Sequence, residues 1–262
     1  MNPSQPTFQT LRLAAGGAIA HLTLDRPGRL NAIDPAMLSE LAEAAAWLDR
    51  RREVKVVVVG GAGRSFCAGF DLDFFRQVEA GASVRELADR GRVMAEAVAN
   101  MRPLTIAAVH GRCVGGGLVI AAACDLRLAA DDAVFSIPEV DLGIPLAWGG
   151  IPRLVREIGP ALTKELVLGC REVGAAEASA LRLVNKVVPA AGLLAEAEAW
   201  AAHLAGKASQ LLEVTKRQVN AAAEALLSTA GAVADADAVI SAMSDRECRE
   251  AAARYLATRK KK

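Results

Sequence analysis

The 262-residue sequence is poor in aromatic residues and has almost no net charge. Aromatic side chains make up 4% of the residues and hydrophobic ones 53%, so a folded core must consist mainly of small aliphatic side chains. Lysine and arginine number 31 against 30 aspartates and glutamates, which gives no electrostatic attraction to nucleic acid or to a membrane surface. The longest apolar stretch, Cys113 to Cys124, is shorter than the roughly 20 residues of a membrane-spanning helix. We therefore expect a globular protein with neither kind of partner.

The sequence also lacks cysteine pairs, metal-ligand clusters and a leader pattern. Its five cysteines are scattered and never form a CxxC arrangement, which favours reduced thiols in an intracellular protein. The first ten residues, MNPSQPTFQT, lack the basic and apolar blocks of a signal peptide. The three histidines, His21, His110 and His203, lack the spacing of metal ligands. We therefore expect a cytoplasmic protein without a metal site.

The most informative stretch is PLTIAAVHGRCVGGGLVIAAACD, which runs from Pro103 to Asp125. Leu104 to Val109 has the length and β-branched content of a buried strand. Gly115 to Gly117 follow, and consecutive glycines let the backbone come close to a ligand. Leu118 to Cys124 is typical of a buried helix, whose N-terminal N–H groups and macrodipole suit an oxygen that gains negative charge. This pattern predicts half of an oxyanion-binding site.

Strand and helix patterns alternate over the first part of the chain, which predicts an α/β fold with a mostly parallel sheet. Beyond Ile151 the pattern is mainly helical and rich in alanine. We therefore predict an α/β core over residues 1–190 and a C-terminal helical region over residues 191–262. The predicted elements of the core include a hairpin of Phe8 to Ala15 with Ala18 to Leu24, a helix from Pro35 to Arg52, a buried strand from Val54 to Gly61, a helical segment from Phe74 to Met101 with a break at Gly81, and a strand pair of Asp125 to Ala129 with Ala133 to Ser136.

A second glycine-bearing loop, FCAGFD from Phe66 to Asp71, follows another buried strand. If neighbouring strands deliver both loops, one backbone N–H from each can converge on a single oxygen. Nucleotide-binding loops fit less well, because Phe66 stands at the third glycine position of a dinucleotide fingerprint. Gly117 and Leu118 likewise replace the Lys-Ser/Thr pair of a phosphate loop. A GxSxG motif is missing from the sequence, which disfavours a serine hydrolase.

Several segments resemble signatures of the crotonase, or enoyl-CoA hydratase/isomerase, superfamily. RPGRLNAI is similar to the family's RPxxxNAL, SFCAGFDL to its FxAGxDL loop, and PLTIAAVHGRCVGGG to its PxIAAVxGxxxGGG segment. Four later segments also fit in order: ACDLRLAADDAVFSIPEVDLGI, GAAEASALRLVNKVVP, LEVTKRQVN and REAAARYLATR. The resemblance covers almost the whole chain. It implies a crotonase-like spiral of ββα units followed by a C-terminal helical region.

The resemblance implies that the backbone N–H groups of Ala68 and Gly116 form an oxyanion hole for the carbonyl of an acyl-CoA thioester. Coenzyme A is then part of the substrate, and no separate cofactor is expected. Members of the family are trimers or pairs of trimers, in which the C-terminal helices cover the active site of their own or a neighbouring subunit. The implied substrate contacts are Arg29, Leu30, Ala32, Ala68, Gly69, Phe70, Asp71 and Gly116.

The carboxylates distinguish between the reactions of the family. Its hydratases carry one glutamate two residues after the third glycine and a second in a PE pair; here these positions are Val119 and Glu139. Valine can neither orient nor deprotonate a water molecule. Ala147 and Val119 stand where dienoyl-CoA isomerases of the family carry aspartates, and Asp141 is expected to be a solvated acid.

A single carboxyl is sufficient for an allylic shift. The favoured prediction is therefore isomerisation of 3-enoyl-CoA to 2-enoyl-CoA in fatty acid metabolism, with Glu139 moving the proton. Apolar neighbours would raise its pKa toward neutrality. Two alternatives stay open: hydration of a 2-enoyl-CoA, which needs a replacement for the missing acid, and acyl-CoA binding with little turnover.

Overall fold

The computed structural model describes residues 5–73 and 83–259. The described strands form a six-stranded sheet, in the order β1-β2-β3-β4-β6-β9, and a three-stranded sheet, in the order β5-β7-β8. Their bounds are β1 Leu11–Ala15, β2 Ile19–Leu24, β3 Val56–Gly61, β4 Leu104–Val109, β5 Arg112–Val114, β6 Leu126–Ala130, β7 Val134–Ser136, β8 Val173–Gly174 and β9 Lys186–Val188.

The described helices cover both faces of the larger sheet and make up most of the C-terminal region. Their bounds are α1 Pro35–Asp49, α2 Val84–Ala99, α3 Gly116–Ala123, α4 Gly150–Gly169 with a break at Gly159, α5 Ala175–Ala180, α6 Leu193–Ala205, α7 Ser209–Leu226, α8 Asp235–Ser244 and α9 Arg246–Arg259. Short 3-10 turns span Pro27–Arg29, Ala190–Gly192 and Ala230–Ala234.

The larger sheet brings both glycine-bearing loops to one edge. Apart from the antiparallel β1–β2 hairpin its strand pairs are parallel, and Val56 of β3 lies opposite Leu104 of β4. The carboxyl ends of parallel neighbours meet at the same edge, so the chain leaves β3 and β4 side by side. An isolated parallel bridge between Cys67 and Cys113 continues this pairing into the loops.

The sheet separates two apolar clusters, and β3 contributes to both. Val57 and Val59 pack on one side with α1 and α3, whereas Val56 and Val58 pack on the other side with α6. This confirms that the continuous valine run is a strand buried on both faces, as parallel strands usually are. The helix α1 begins as predicted, with Pro35 in its first turn and Asp34 accepting a hydrogen bond from the Met37 N–H at 2.8 Å.

Two predicted elements differ from the structure. The expected pair of strands at 125–129 and 133–136 is wrong as a pair, because β6 joins the larger sheet and β7 the smaller one. Here β6 pairs with β4 and β9, while β7 pairs with β5 and β8. The predicted helical segment from Phe74 to Met101 is described from Val84, where Ser83 caps α2 by accepting from the Glu86 N–H. Its first part and the expected break at Gly81 lie outside the described residues.

The C-terminal region is tied to the sheet. Leu193 and Ala197 of α6 are buried against its second face. On α7, the buried Lys216 ammonium lies 2.7 Å from Oδ2 of Asp125 and donates to the Pro103 carbonyl oxygen at 3.0 Å. Over the described residues no single helix is long and apolar enough to cross a membrane, although α7 and the segment Ala230–Ser244, bent by 63°, pass that length and composition test jointly.

Candidate active site

The glycine-rich turn between β5 and α3 allows close approaches that a side chain would block. Gly115 has a φ of 49°, and a Cβ built on it would collide with Oε1 of Glu139. A Cβ on Gly116 would lie 2.6 Å from the Trp148 ring. The Gly115 N–H donates to the Ser136 carbonyl oxygen at 2.9 Å, which holds the turn against β7. Gly116 is the first residue of α3. Its N–H has no acceptor within the helix and lies at the positive end of the helix macrodipole.

The structure corrects the prediction that Ala68 supplies the second N–H donor. The Ala68 N–H donates to the carbonyl oxygen of Leu30 at 2.9 Å. This bond joins the loop after β3 to the turn after β2. The same N–H could reach a substrate oxygen only if that bond were broken.

Phe70 presents its backbone in a different direction. The Ile33 N–H donates to the Gly69 carbonyl oxygen, and the Asp71 N–H donates to the Ile33 carbonyl oxygen, both at 2.8 Å. Backbone groups alternate in direction along an extended segment, so the N–H of Phe70 is directed away from Ile33. Phe70 also lines the same pocket as Gly116. It is therefore better placed than Ala68 to complete the site.

That pocket encloses a cavity of about 90 Å³, and its described lining is almost entirely apolar. It lies beside the N-terminus of α3, and among the described residues that line it Glu139 alone is titratable. The pocket therefore combines one titratable carboxyl with apolar walls. The other lining residues are Phe70, Val84, Leu87, Ala88, Gly116, Val119, Ile144, Pro145, Leu146, Ala147, Trp148, Val239 and Met243.

Glu139 is a carboxyl in a poorly solvated setting. Its Oε2 is fully buried and has no hydrogen-bond partner among the described residues. Burial raises the pKa of Glu139 from its usual 4.5 to about 7, although a hydrogen bond from its own backbone N–H acts to lower this pKa. A carboxyl that titrates near neutral pH can both accept a proton and return it.

Among the described residues, this lining contains no second acid. Val119 and Ala147, at the positions where the resemblance places carboxylates for other reactions, both face the pocket. Val119 is 3% exposed and lies close to Gly150 and Leu146. Asp141 is exposed, in agreement with the expectation that it is a solvated acid.

Trp148 forms an aromatic wall of the pocket in a strained conformation. Its φ is 62°, in the left-handed region that large residues seldom adopt. Its ring packs edge-on against Phe70, with centroids 5.8 Å apart, and occupies the space that a side chain at Gly91 of α2 would need. Nη1 of Arg153 donates to the Trp148 carbonyl oxygen at 3.0 Å, which helps to hold this conformation.

The turn after β2 carries predicted contacts to the substrate. The Arg29 guanidinium donates to Asp71 Oδ1 at 3.1 Å and also pairs with Asp73, and Arg26 donates to Asp71 Oδ2 at 3.1 Å. Although burial acts in the opposite direction, the Asp73 N–H and the two guanidinium groups hold the pKa of Asp71 below its usual value. Asp71 therefore links this turn to the loop after β3. The turn also contains Leu30 and Ala32.

Asn31 is an important residue of this turn that the sequence analysis missed. Its side chain is fully buried, with Oδ1 accepting from the Arg26 N–H at 2.9 Å and Nδ2 donating to the carbonyl oxygens of Ala62 and Ser65 at 2.8 Å. Its φ of 56° is one that asparagine tolerates better than most residues. The available signal was an asparagine just after the Pro-Gly turn. Asn31 fixes the turn to the end of β3.

The C-terminal region supplies one wall of the pocket. Val239 and Met243 of α8 line it. Oδ2 of Asp235, the first residue of α8, accepts from the Gly149 N–H at 2.8 Å and so links α8 to the loop that carries Trp148. The resemblance left open whether a chain's own helices or a neighbour's cover the site, and here the chain's own α8 contributes.

The buried thiols near the site are not nucleophiles. Cys67 and Cys113 are fully enclosed beneath the two loops. Burial raises the pKa of the Cys67 thiol to about 12 and that of the Cys113 thiol well above its usual value. Within residues 5–73 and 83–259, no group of three or more His, Cys, Asp or Glu side chains is arranged to hold a metal ion.

This fold, with an apolar pocket at the N-terminus of α3, defines the class of acyl-CoA enzymes with the crotonase fold. A family model described as enoyl-CoA hydratase/isomerase matches residues 14–262, and the chain belongs to that family.

Relatives and solved structures agree with this assignment. The chain is 36% identical over 224 residues to a probable enoyl-CoA hydratase of Mycobacterium tuberculosis, with 85% of each chain covered. It is also 36% identical over 197 residues to a peroxisomal Delta(3,5)-Delta(2,4)-dienoyl-CoA isomerase of Arabidopsis thaliana, with 70% of each covered. An enoyl-CoA hydratase structure from Mycobacterium avium subsp. paratuberculosis superimposes with a TM-score of 0.86 at 26% identity, covering 95% of this chain and 100% of that one.

Proposed function

We propose that the protein isomerises 3-enoyl-CoA thioesters to 2-enoyl-CoA thioesters with Glu139 as the proton carrier. The supporting observation is that Glu139, with a pKa raised to about 7, is the single titratable group among the described residues that line an otherwise apolar pocket. Isomerisation moves one proton between two carbons and needs no water molecule. A dry pocket with one carboxyl therefore suits it.

The proposed reaction balances without a co-reactant. The Glu139 carboxylate removes a proton from C2, and the released electron pair delocalises into the thioester, whose oxygen gains negative charge. The protonated Glu139 then returns the same proton to C4, while the double bond moves from C3–C4 to C2–C3 and the carboxylate is restored. The backbone N–H groups of Gly116 and Phe70 would stabilise the intermediate oxygen, a type of donor worth about 10²–10³ in rate.

Coenzyme A is proposed to lie along the turn after β2. The Arg29 side chain there is 52% exposed, which leaves part of its guanidinium accessible to a phosphate group even while it pairs with Asp71. The same region of the fold contains Leu30, Ala32 and Gly69. These residues would contact the part of coenzyme A that carries the thioester. No cofactor apart from the coenzyme A of the substrate is proposed.

Hydration of a 2-enoyl-CoA is the second candidate. It is favoured by the names of relatives, among them the probable enoyl-CoA hydratase of M. tuberculosis. Water addition would require Glu139 both to activate the water and to deliver the proton, because Val119 has no acid–base group. We therefore rank it below isomerisation.

Separate incubations with a 3-enoyl-CoA and a 2-enoyl-CoA test the proposal, with double-bond movement and water addition followed independently. We expect isomerisation to dominate, and Glu139→Gln to lower its kcat by about 10²–10⁴. Asp141→Asn, which removes an exposed acid two residues away, is the matched control and should retain activity. Efficient hydration by the unaltered chain would refute the isomerase assignment, and tight acyl-CoA binding without either reaction would support a binding protein.

We also propose a homotrimer or a dimer of trimers. This proposal follows the assembly that the family resemblance implies, and several leucine and valine side chains on α4, α6 and α7 that are 61–87% exposed are compatible with it. Light scattering on the full chain tests this, and a monomer at working concentration would contradict it. The exposed residues are Leu168, Leu194, Leu211, Val219 and Leu226.

A further inference from the structure

We propose that Val239 and Met243 of α8 end the acyl-binding pocket and set the length of an unsubstituted aliphatic acyl chain. This inference rests on the proposed function, since it concerns the acyl group of the same substrate. It assigns to the C-terminal region a role in substrate selection.

The first observation is the incomplete packing of α8. Ala236, Val239, Ile240 and Met243 follow the i, i+3, i+4, i+7 spacing of one helical face. Ala236 is buried, whereas Val239 and Met243 on the same face are partly buried and line the pocket. Apolar side chains that face inward but stay incompletely packed leave space that a hydrocarbon chain can fill.

The second observation concerns the helices that connect the Glu139 end of the pocket to α8. The reacting end is marked by Glu139 and Gly116, at the start of α3. Both α3 and α8 pack against α2, and the α2 residues Val84 and Leu87 line the same pocket as Gly116 and Met243. An acyl chain that leaves Glu139 and runs along α2 therefore reaches Val239 and Met243.

The third observation is the chemistry of the lining. Beyond Glu139, the described lining side chains are apolar except for the indole N–H of Trp148, and Val239 and Met243 of α8 carry no hydroxyl, amide or charge. A hydroxyl at the end of the acyl chain, beside Val239 and Met243, would lose its hydrogen bonds to water without a replacement from these two side chains. Rejection of such a substrate by an apolar pocket is about 10²-fold.

The position of α8 is held by contacts outside the pocket. Asp235 accepts from the Gly149 N–H, and Asp237 pairs with Arg85 of α2. A Cβ on Gly143 would collide with the Cys248 carbonyl oxygen, so the start of α9 lies directly on the loop that follows Glu139. These contacts make the α8 wall a fixed boundary, as a length limit requires.

The kinetic test uses the full chain and a series of straight 3-enoyl-CoA substrates from hexenoyl to hexadecenoyl. Met243→Ala and Val239→Ala should each raise kcat/KM for long relative to short chains by about tenfold, because each opens space equivalent to one or more methylene groups. Met243→Trp should shift the preference toward short chains. Ile240→Ala is the matched control, since Ile240 lies on the same helix and is not among the described lining residues. An unchanged chain-length profile in every folded variant would refute the inference.

A binding measurement separates this inference from the proposed reaction. Saturated acyl-CoAs of the same lengths cannot isomerise, and their Kd by calorimetry should show the same shift in Met243→Ala, with a terminally hydroxylated analogue bound about 10²-fold more weakly. Shifted binding without turnover would support the α8 wall and refute the isomerase assignment. Normal turnover with Kd values that do not respond to the α8 variants, or equal binding of the hydroxylated analogue, would refute the α8 wall alone.

Discussion

The two ends of the pocket are built in different ways. The reacting end consists of main-chain groups and one carboxyl, held by glycines that leave no room for a side chain. The α8 end consists of ordinary apolar side chains on a helix that comes from the C-terminal region. The first end tolerates few residue types, whereas the second accepts many side chains of suitable volume.

This difference separates chemistry from selectivity. Changes at the reacting end should alter the rate of every substrate, because they act on the thioester and the proton carrier. Changes at the α8 end should alter the ranking of substrates, because they act on the acyl chain.

Gly115→Ala should abolish most activity for all acyl lengths. The new Cβ would collide with Oε1 of Glu139, in a backbone conformation with positive φ that alanine adopts at a cost. We expect kcat to fall by at least about 10²-fold, measured with a short and a long 3-enoyl-CoA.

Gly174→Ala is the control for this change, because a Cβ at Gly174 meets no atom within 4 Å. It should leave kcat unchanged. A Gly115→Ala variant that folds, as judged by circular dichroism, and keeps its rate would show that the close approach of Glu139 to this turn is unimportant.

The pH profile should report the carboxyl at the reacting end. Proton removal requires the carboxylate, and burial raises the pKa of Glu139 to about 7. The kcat/KM value should therefore rise about tenfold per pH unit below that value and level off above it. The midpoint should not move with acyl length, and a flat profile between pH 5 and 8 would exclude Glu139 as the base.

The same pKa shift has a defined effect on stability. A carboxyl whose pKa is higher in the folded state stabilises the fold fully below its unfolded value, near 4.5, and loses this contribution as the pH rises through about 7. The unfolding free energy of the unaltered chain should therefore decline over this window more than that of Glu139→Gln. The unfolding free energy of both proteins is measured by urea titration at several pH values. An equal decline in the two proteins would contradict a buried Glu139 carboxyl.

Asp235→Asn should have the smallest effect, and chiefly on selectivity. It weakens the acceptor of the Gly149 N–H and so loosens α8 against the loop that carries Trp148. We expect a loss of about 1–2 kcal/mol in unfolding free energy and a change of a few-fold in the ratio of long to short substrates. Ser241→Ala, at an exposed residue of the same helix, should leave that ratio unchanged. A uniform fall in kcat for Asp235→Asn would contradict the separation of roles.

Much of the core was predictable because its patterns are local. The valine run of β3, the strand before the triple glycine and the Asp-Pro start of α1 each depend on neighbours in the chain. The pairing of β6 and β7 was not predictable in this way. Both segments are short and apolar, and only their hydrogen-bond partners assign them to different sheets.

The candidate site shows the same limit at finer scale. The FCAGFD loop was identified, but the choice between Ala68 and Phe70 depends on which way each N–H points. That direction follows from bonds to Leu30 and Ile33, more than 35 residues earlier in the chain. The resemblance implied that C-terminal helices cover the site, but the sequence did not single out Val239 and Met243, because the apolar residues of α8 look like those of any packed helix.

Residue types at particular spacings are enough to identify the family, the glycines of the turn before α3 and the single glutamate in the PE pair. Only the folded structure shows which N–H groups lie beside the pocket, how burial raises the pKa of Glu139, and which helix of the C-terminal region lines the pocket. These properties depend on direction and enclosure, which arise only when segments distant in the chain pack together.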